Sequence, residues 1–190
     1  MKKILMIIIL SLFLSSCGEK EESEAEEETT TELEGTWKTA CYTNSDNSTN
    51  IDTLKFVGNV YTRKDQRYSD TACATVYKLE EITYTYSEGS AVTFLSGNTG
   101  RYFKITLGST YKTTPQSASA VNAFNSSSKC DFSNWELNTA KDCTNEDAGD
   151  PIYCFYQLNG NNLYVECNES SYPSTSDIDT SDASSTFTKQ

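Results

Sequence analysis

The sequence contains no histidine, and this absence excludes several classes of enzyme. The Ser-His-Asp and Cys-His arrangements that activate a nucleophile need an imidazole base, and zinc or non-haem iron centres with His ligands need the same side chain. Basic residues are also scarce, with 15 Lys and Arg against 27 Asp and Glu, giving a formal net charge of -12. Because phosphate binding needs clustered basic side chains, we expect no nucleic-acid partner.

Two further signatures are missing. No G-x-G-x-x-G or Walker loop occurs, and no helices alternate with the candidate strands, which argues against an α/β nucleotide-binding fold. No C-x-x-C pair occurs either, so the cysteines are interpreted as structural. The 190 residues, of which 36% are hydrophobic, are enough for one domain with its own core. We expect a non-enzymatic protein with no catalytic residues, cofactor or metal centre.

The first seventeen residues have the organisation of an export signal. Met1-Lys2-Lys3 is a short positive segment, and the apolar run from residue 4 to residue 14 is too short to span a bilayer as a helix, which needs ~20 residues. It fits a signal peptide of residues 1–16. The following Leu14-Ser15-Ser16-Cys17 resembles the lipobox of bacterial lipoproteins. The resemblance implies cleavage before Cys17 and acylation (palmitate) of that cysteine, whose chains anchor the protein in a membrane.

The resemblance also implies a location. In this family an Asp after the lipidated cysteine retains the protein in the inner membrane, and no Asp follows Cys17. We therefore expect an outer-membrane lipoprotein, with the face of that membrane left open. Residues 17–34 carry nine acids against one Lys after the cysteine. Because like charges repel and few apolar groups can be buried, this segment is predicted to be a solvated tether ahead of a domain at 35–190.

The six remaining cysteines predict three disulfides, because an even number in an exported chain is typical of a disulfide framework. The stretches 152–158 and 163–167 predict a hairpin around Gly160-Asn161. That register places Cys154 opposite Cys167 at a spacing that a disulfide accepts. The other pairings follow less directly: Cys130 and Cys143 flank the segment 132–137, and Cys41 takes Cys73 by elimination.

The body of the chain is predicted to be all-β. Short runs rich in Thr, Tyr, Val and Phe, bounded by Gly, Asn, Ser and Asp, predict eight to ten antiparallel strands, either in a barrel or in a β-sandwich. One short helix near 115–125 is expected, with Thr114 as N-cap and Pro115 in the first position. The candidate strands are 36–42, 51–57, 60–68, 75–86, 92–96, 101–107, 132–137, 152–158, 163–167 and 185–189.

The first strand begins with Gly35-Thr36-Trp37, which resembles the G-x-W start of lipocalin-type barrels. The resemblance implies a meander closed into a barrel, with the Trp packed across its closed end. A lipocalin-like barrel is the leading prediction, and the sandwich stays open.

Aromatic residues are the most suggestive candidates for a binding site. The chain contains twelve Tyr, eight Phe and two Trp. Because Tyr combines a large apolar face with a polar tip, aromatic rings on strands can line a ligand cavity, although ordinary cross-strand packing is the alternative. The residues predicted to bind a ligand are Trp37, Tyr77, Tyr84, Tyr86, Tyr102 and Phe103.

Carboxylates give two weaker candidates. Asp142, Asn145, Glu146, Asp147 and Asp150 crowd into one stretch, but their spacing does not match an EF-hand. We interpret it as a solvated loop and leave cation binding open. The adjacent Glu80 and Glu81 would face opposite ways on a strand, so they are assigned to surface and barrel-rim positions.

These observations lead to two functional hypotheses. The first is a lipid-anchored, non-enzymatic envelope protein that holds a small apolar or amphipathic ligand in the barrel. The second is a structural or interaction lipoprotein with a filled core, which contacts envelope proteins or glycans. A carboxylate-dependent hydrolase is a third possibility and requires two convergent carboxylates in a cleft. The identity of the ligand and the oligomeric state are left open.

Overall fold

The computed structural model describes residues 31–95, 97–144, 151–173 and 182–190. Cys17 and the signal segment lie outside these residues, as do most of the tether and the loop at 145–150. Among the described residues, no helix has the length and apolarity needed to cross a bilayer. The strands are β1 (Gly35–Thr39), β2 (Tyr42–Thr43), β3 (Thr49–Val57), β4 (Val60–Tyr68), β5 (Val76–Thr93), β6 (Thr99–Pro115), β7 (Lys141–Asp142), β8 (Ile152–Asn159), β9 (Asn162–Asn168) and β10 (Thr186–Lys189).

The sheet closes into an eight-stranded antiparallel barrel. The order is β1-β10-β9-β8-β6-β5-β4-β3, and β1 also pairs with β3. Trp37 shows the closure directly, because it lies opposite Lys189 of β10 on one side and Leu54 of β3 on the other. The short strands β2 and β7 lie off this ring and pair with β3 and β6. The predicted barrel is confirmed, and the sandwich alternative is wrong.

Several predicted elements differ from the structure. One long strand, β5, joins the run at 75–86 to the first residues of the run at 92–96 and ends at Thr93, and its pairing with β6 is interrupted by bulges. The segment 132–137 is irregular, because its Trp135 packs against the helix instead of pairing in the sheet. Helix α1 (Ala118–Ser127) begins later than predicted: Ser117 is the N-cap and accepts from the Ala120 amide, while Pro115 ends β6.

The end of the β5–β6 hairpin, around the turn that follows Thr93, packs against the outer face of β8. Gly100 allows this approach, since a Cβ there would collide with the carbonyl oxygen of Tyr156. Phe94 then packs on the outward-facing Phe155, with ring centroids 5.1 Å apart. Val92 completes this small cluster. The barrel is therefore braced from outside as well as filled from inside.

The interior of the barrel is divided into an aromatic end and a polar end. Phe56, Tyr61 and Tyr84 form one row across β3, β4 and β5, and all three are buried. Four residues further along each of the same strands, Asp52, Asp65 and Glu80 form a second row on the same inner face. Because side chains alternate along a strand, a single register places both rows inside. One barrel therefore has two chemically different ends.

All three cysteine pairs are at disulfide distance, as predicted. The Cα atoms are 6.1 Å apart for Cys41–Cys73, 5.2 Å for Cys130–Cys143 and 4.0 Å for Cys154–Cys167. The pair on β8 and β9 lies opposite in register, which confirms the hairpin. Their environments differ: Cys130 and Cys143 are both buried, Cys154 is buried but Cys167 is exposed, and Cys41 is exposed beside a half-buried Cys73.

These environments predict an order of reduction in the native protein. Thiol–disulfide exchange requires access to a sulfur, so we expect graded reductant to open Cys41–Cys73 first and Cys130–Cys143 last. Alkylation of the released thiols followed by peptide mapping measures the order. Opening of the pair 130–143 before the pair 41–73 would contradict the packing of the helix region.

Candidate functional site

Four of the six predicted ligand-binding aromatics lie in a packed core. Tyr84, Tyr86, Trp37 and Phe103 are each at most 7% exposed. The rings contact one another: the Tyr86 centroid lies 5.3 Å from Phe56 and 6.5 Å from Phe103. Such edge-to-face contacts stabilise the core beyond simple burial. The inner volume at this end is thus occupied by the chain's own side chains.

The other two predicted ligand-binding aromatics, Tyr102 and Tyr77, lie outside this core. Tyr102 is half-buried on the outer side of β6, with its ring centroid 4.6 Å from that of Tyr172. Tyr77 lies near the beginning of β5 and lines a groove beside helix α1. The structure therefore does not bring the six predicted residues together around one cavity, and only Tyr77 lines the groove described below.

Residues 31–34 plug the aromatic end of the barrel. Leu33 is fully buried, and its carbonyl oxygen accepts a 2.7 Å hydrogen bond from Nε1 of Trp37. Glu34 accepts from the amide of Gly58 at 2.6 Å. The prediction of a solvated tether up to residue 34 is wrong for these last residues. One apolar side chain in an otherwise acidic segment is enough to bring it into the core.

Polar groups converge above this plug. The hydroxyl of Tyr156 lies 2.8 Å from a carboxylate oxygen of Glu32 and 3.1 Å from one of Glu88. A phenol carries one hydrogen, so it donates to one carboxylate at a time. Burial, together with these carboxylates, raises the pKa of Tyr156 well above its ordinary value. Both glutamates and Arg101 line an open cavity of about 420 Å³ at this mouth.

A second groove, of about 630 Å³, lies at the opposite end of the barrel, between β4, β5 and helix α1. Arg67 and Lys78 lie opposite each other in register and form its strand-side wall. Phe124 and Ser127 line it from the helix, and Lys129 follows. The remaining lining residues are Tyr68, Ser69, Tyr77, Ser119 and Ala123.

The groove combines basic and aromatic side chains. Nζ of Lys78 lies 2.7 Å from a carboxylate oxygen of Glu80, and Arg67 lies 3.6 Å from Asp46. Nζ of Lys129 lies 5.6 Å from the ring centroid of Tyr111 and 3.5 Å from its hydroxyl. Three basic residues beside three aromatic rings form a mixed surface on a protein whose net charge is strongly negative.

The helix wall of this groove is held by a second core cluster. The Phe124 and Trp135 ring centroids are 5.1 Å apart. The side chain of Asn125 clamps Trp135 by donating to its carbonyl oxygen at 3.2 Å and accepting from its amide at 2.6 Å. The Cys130–Cys143 disulfide lies in the same cluster. Two hydrogen bonds and a covalent link therefore fix the helix that forms this wall.

The polar row inside the barrel was missed by the sequence interpretation. The sequence placed Glu80 at the barrel rim, but its side chain faces inward and its carboxylate accepts a 3.1 Å hydrogen bond from the hydroxyl of Tyr111. The neighbouring Glu81 faces outward and is exposed, as expected for the next residue of a strand. Asp52 is also buried and pairs with Arg63 at 2.8 Å. A signal was present, since Asp52 shares a strand face with Leu54 and Phe56, two core positions.

The acidic stretch around 142–150 lies mostly outside the described residues. Asp142 is exposed and accepts from the Thr144 amide at 2.9 Å. Across the described residues, no group of three or more His, Cys, Asp or Glu side chains could hold a metal ion. Cation binding by the full loop stays open.

The chain matches no protein-family model and no curated protein. A function for these two ends of the barrel therefore has to be derived from their own chemistry.

The plug makes a testable stability prediction. Leu33→Ala should lower the free energy of unfolding by about 2–5 kcal/mol, because it leaves a cavity in the core. Leu137→Ala is the matched control, since Leu137 is 51% exposed and surface changes stay within about 0.5 kcal/mol. Denaturant unfolding measures both. Equal, small effects would show that residues 31–34 do not belong to the core.

Proposed function

We propose that this chain is a lipid-anchored, non-enzymatic envelope protein that binds a small amphipathic ligand carrying an acidic group. The ligand occupies the groove between β4, β5 and α1 and not the barrel interior. The observation that carries this proposal is the groove itself, where three basic residues lie beside three aromatic rings. Amphipathic ligands need both kinds of surface, because their apolar part is removed from water while their head group finds a charge-assisted partner.

The position of the groove agrees with an anchor at the N-terminus. The chain enters the barrel at the aromatic end, where Glu34 contacts Gly58 beside the turn between β3 and β4. The groove lies at the other end of β4, where Arg67 and Tyr68 are found. Nine strand residues separate the two ends by about 27 Å, at roughly 3.4 Å per residue. A membrane anchor before residue 31 would thus be attached at the end of the barrel opposite the groove.

The anchor is proposed from the lipobox resemblance at Cys17, and the outer membrane from the residue that follows it. Acyl chains bind membranes with about 0.8 kcal/mol for each buried CH₂, so several chains hold a protein essentially permanently. The acidic segment that follows Cys17 would then span the distance between the lipid and the plug.

Labelling tests the anchor. Cells expressing the chain with a clickable palmitate analogue should give a labelled protein in the outer-membrane fraction. Cys17→Ala should abolish the label, whereas Cys41→Ala removes a different cysteine and should keep it. Label on the Cys17→Ala protein would contradict lipidation at this residue.

Binding of dodecanoate tests the ligand site. The expected result is saturable binding by calorimetry, with amide shifts in the groove around Tyr77 and Phe124. Lys78→Ala should weaken binding about tenfold, equivalent to about 1.4 kcal/mol. Lys112→Ala is the control, because it removes the same charge from an exposed position on β6 outside the groove.

A second probe separates charge from apolar contact. Dodecanol has the same chain without the carboxylate and should bind more weakly than dodecanoate. Equal binding of the two, or equal weakening by Lys78→Ala and Lys112→Ala, would contradict the proposed role of the basic residues.

The packed aromatic core supports one alternative, an interaction lipoprotein with a filled interior. In that case the groove contacts an envelope protein or glycan and not a free small molecule. Mass spectrometry of native and denatured protein purified without detergent distinguishes the two. A stoichiometric low-mass ligand released on denaturation favours the small-ligand function, and cross-links from the groove to an envelope macromolecule favour the alternative.

A further inference from the structure

Two aspartates face each other across strands in the polar half of the barrel. Asp52 of β3 and Asp65 of β4 are partners in register and point to the same inner face. Side chains in such positions have Cβ atoms about 4.5–5.5 Å apart. Asp52 is 3% exposed, and the Asp65 side chain is 23% exposed. The Asp52 carboxylate is thus buried, and the Asp65 carboxylate opposite it is partly buried.

Each of these carboxylates has a buried oxygen without a hydrogen-bond donor. In the part of the chain that the structure describes, no donor reaches Oδ1 of Asp52 or Oδ1 of Asp65. A buried acceptor without a partner destabilises the folded state, and more so when it is charged. The neighbouring Asn50 adds a third such oxygen, its own Oδ1. The hydroxyl of Thr113, which lies opposite Glu80 in the same row, is also buried and unpaired, so the two aspartate oxygens have no donor although one hydroxyl lies in their row.

The basic side chains near Asp65 form their shortest ion pairs with other carboxylates. Arg63 lies 2.8 Å from Oδ2 of Asp52 but 3.9 Å from Oδ2 of Asp65. Lys78 lies 2.7 Å from Glu80, whose carboxylate faces Asp65 from β5. On the β2 side, burial and the two aspartates raise the pKa of Tyr42, so its hydroxyl stays neutral. Asp65 is therefore the carboxylate in this row with the weakest compensation.

One added proton would supply the hydrogen-bond donor that the two aspartate oxygens lack. A protonated carboxyl group is a donor, whereas an ionised one can only accept. If Asp65 takes a proton from solvent, its new O–H can donate to Oδ1 of Asp52, and both orphaned oxygens are then used. Burial, with the charge of Asp52 next and that of Glu80 smaller, raises the pKa of Asp65 to about 6, although Arg63 and, more weakly, Lys78 oppose this change.

We propose that Asp65 and Asp52 share one bound proton and that this pair is a pH-sensitive element in the β3–β4 wall of the barrel. With the proton bound, the two strands are linked by an additional hydrogen bond. Without it, two like charges face each other in a buried site, and the polar end is loosened.

The direction of the pH dependence follows from the raised pKa. The folded protein binds this proton more tightly than the unfolded chain, in which the pKa of Asp is near 3.8. The stabilisation from Asp65 is therefore complete below about pH 4 and is lost as the pH rises through about 6. Because the pKa of Asp65 differs by about two between the folded and unfolded chains, the unfolding equilibrium constant changes about a hundredfold across this range.

Asp65→Asn tests the proposal in the full chain, because the amide donates to Asp52 at every pH. The variant should be more stable than the wild type at pH 7.5, and the difference should disappear near pH 4. Glu166→Gln is the control, since Glu166 is exposed on β9, and its difference from the wild type should not change with pH. A pH-independent difference for Asp65→Asn would overturn the proposal.

A titration of the wild-type carboxyl carbons by NMR is independent of any variant's folding. Asp65 should titrate with a midpoint near pH 6, and Asp52→Asn should move that midpoint towards the ordinary value. A wild-type midpoint near 4 would overturn the shared proton. Arg67 and Lys78 lie in the next row and line the groove, so the charge of Asp65 also affects the proposed ligand site. This consequence rests on the proposed function, whereas the titration and the stability measurements do not.

Discussion

The pairing of β1 with both β3 and β10 is the constraint on which the structure depends. It closes eight strands into a ring, and a ring of this size has an interior that side chains just fill or that holds one small ligand. In this chain the aromatic end is filled by Phe56, Tyr61, Tyr84 and their neighbours. Leu33 then closes the mouth from the N-terminal side. Closure and filling together leave the ends of the barrel as the places where another molecule can bind.

The two ends are not equivalent, because β5 and β6 are about twice as long as most other strands. At the polar end β6 pairs with β7, and both β5 and β6 contact helix α1. The Cys130–Cys143 disulfide and the contacts of Trp135 fix this segment. A wall fixed in this way gives the groove a permanent shape, and a shaped site binds at a smaller entropic cost than a loop that must first be ordered.

The sequence was sufficient for features that depend on neighbouring residues, but not for those that depend on distant ones. The geometry of the turn and the alternation of side chains along the strands predict that Cys154 lies opposite Cys167, and the two residues are register partners in the structure. The helix start was wrong because Pro115 is equally suited to end a strand, and only tertiary packing decides between these roles. The groove had no local signature, because Arg67 and Lys78 are eleven positions apart and meet only through the β4–β5 register. A groove made from three separate elements becomes visible only when their relative positions are known.

A chain without histidine has few ways to respond to pH between 5 and 8, because the other side chains ordinarily titrate outside that range. Burial can supply such a response by raising the pKa of a carboxyl group into this pH range, provided that cations and hydrogen-bond donors do not fully stabilise the carboxylate. The polar row meets this condition, because Arg63 forms its closest ion pair with Asp52 and Lys78 forms its ion pair with Glu80, which leaves Asp65 less well compensated. The same strand alternation that fills one end of the barrel with rings places a weakly compensated carboxylate, Asp65, at the other end. In the proposed envelope location, where pH follows the surroundings more closely than in the cytoplasm, such a group provides a sensor without imidazole.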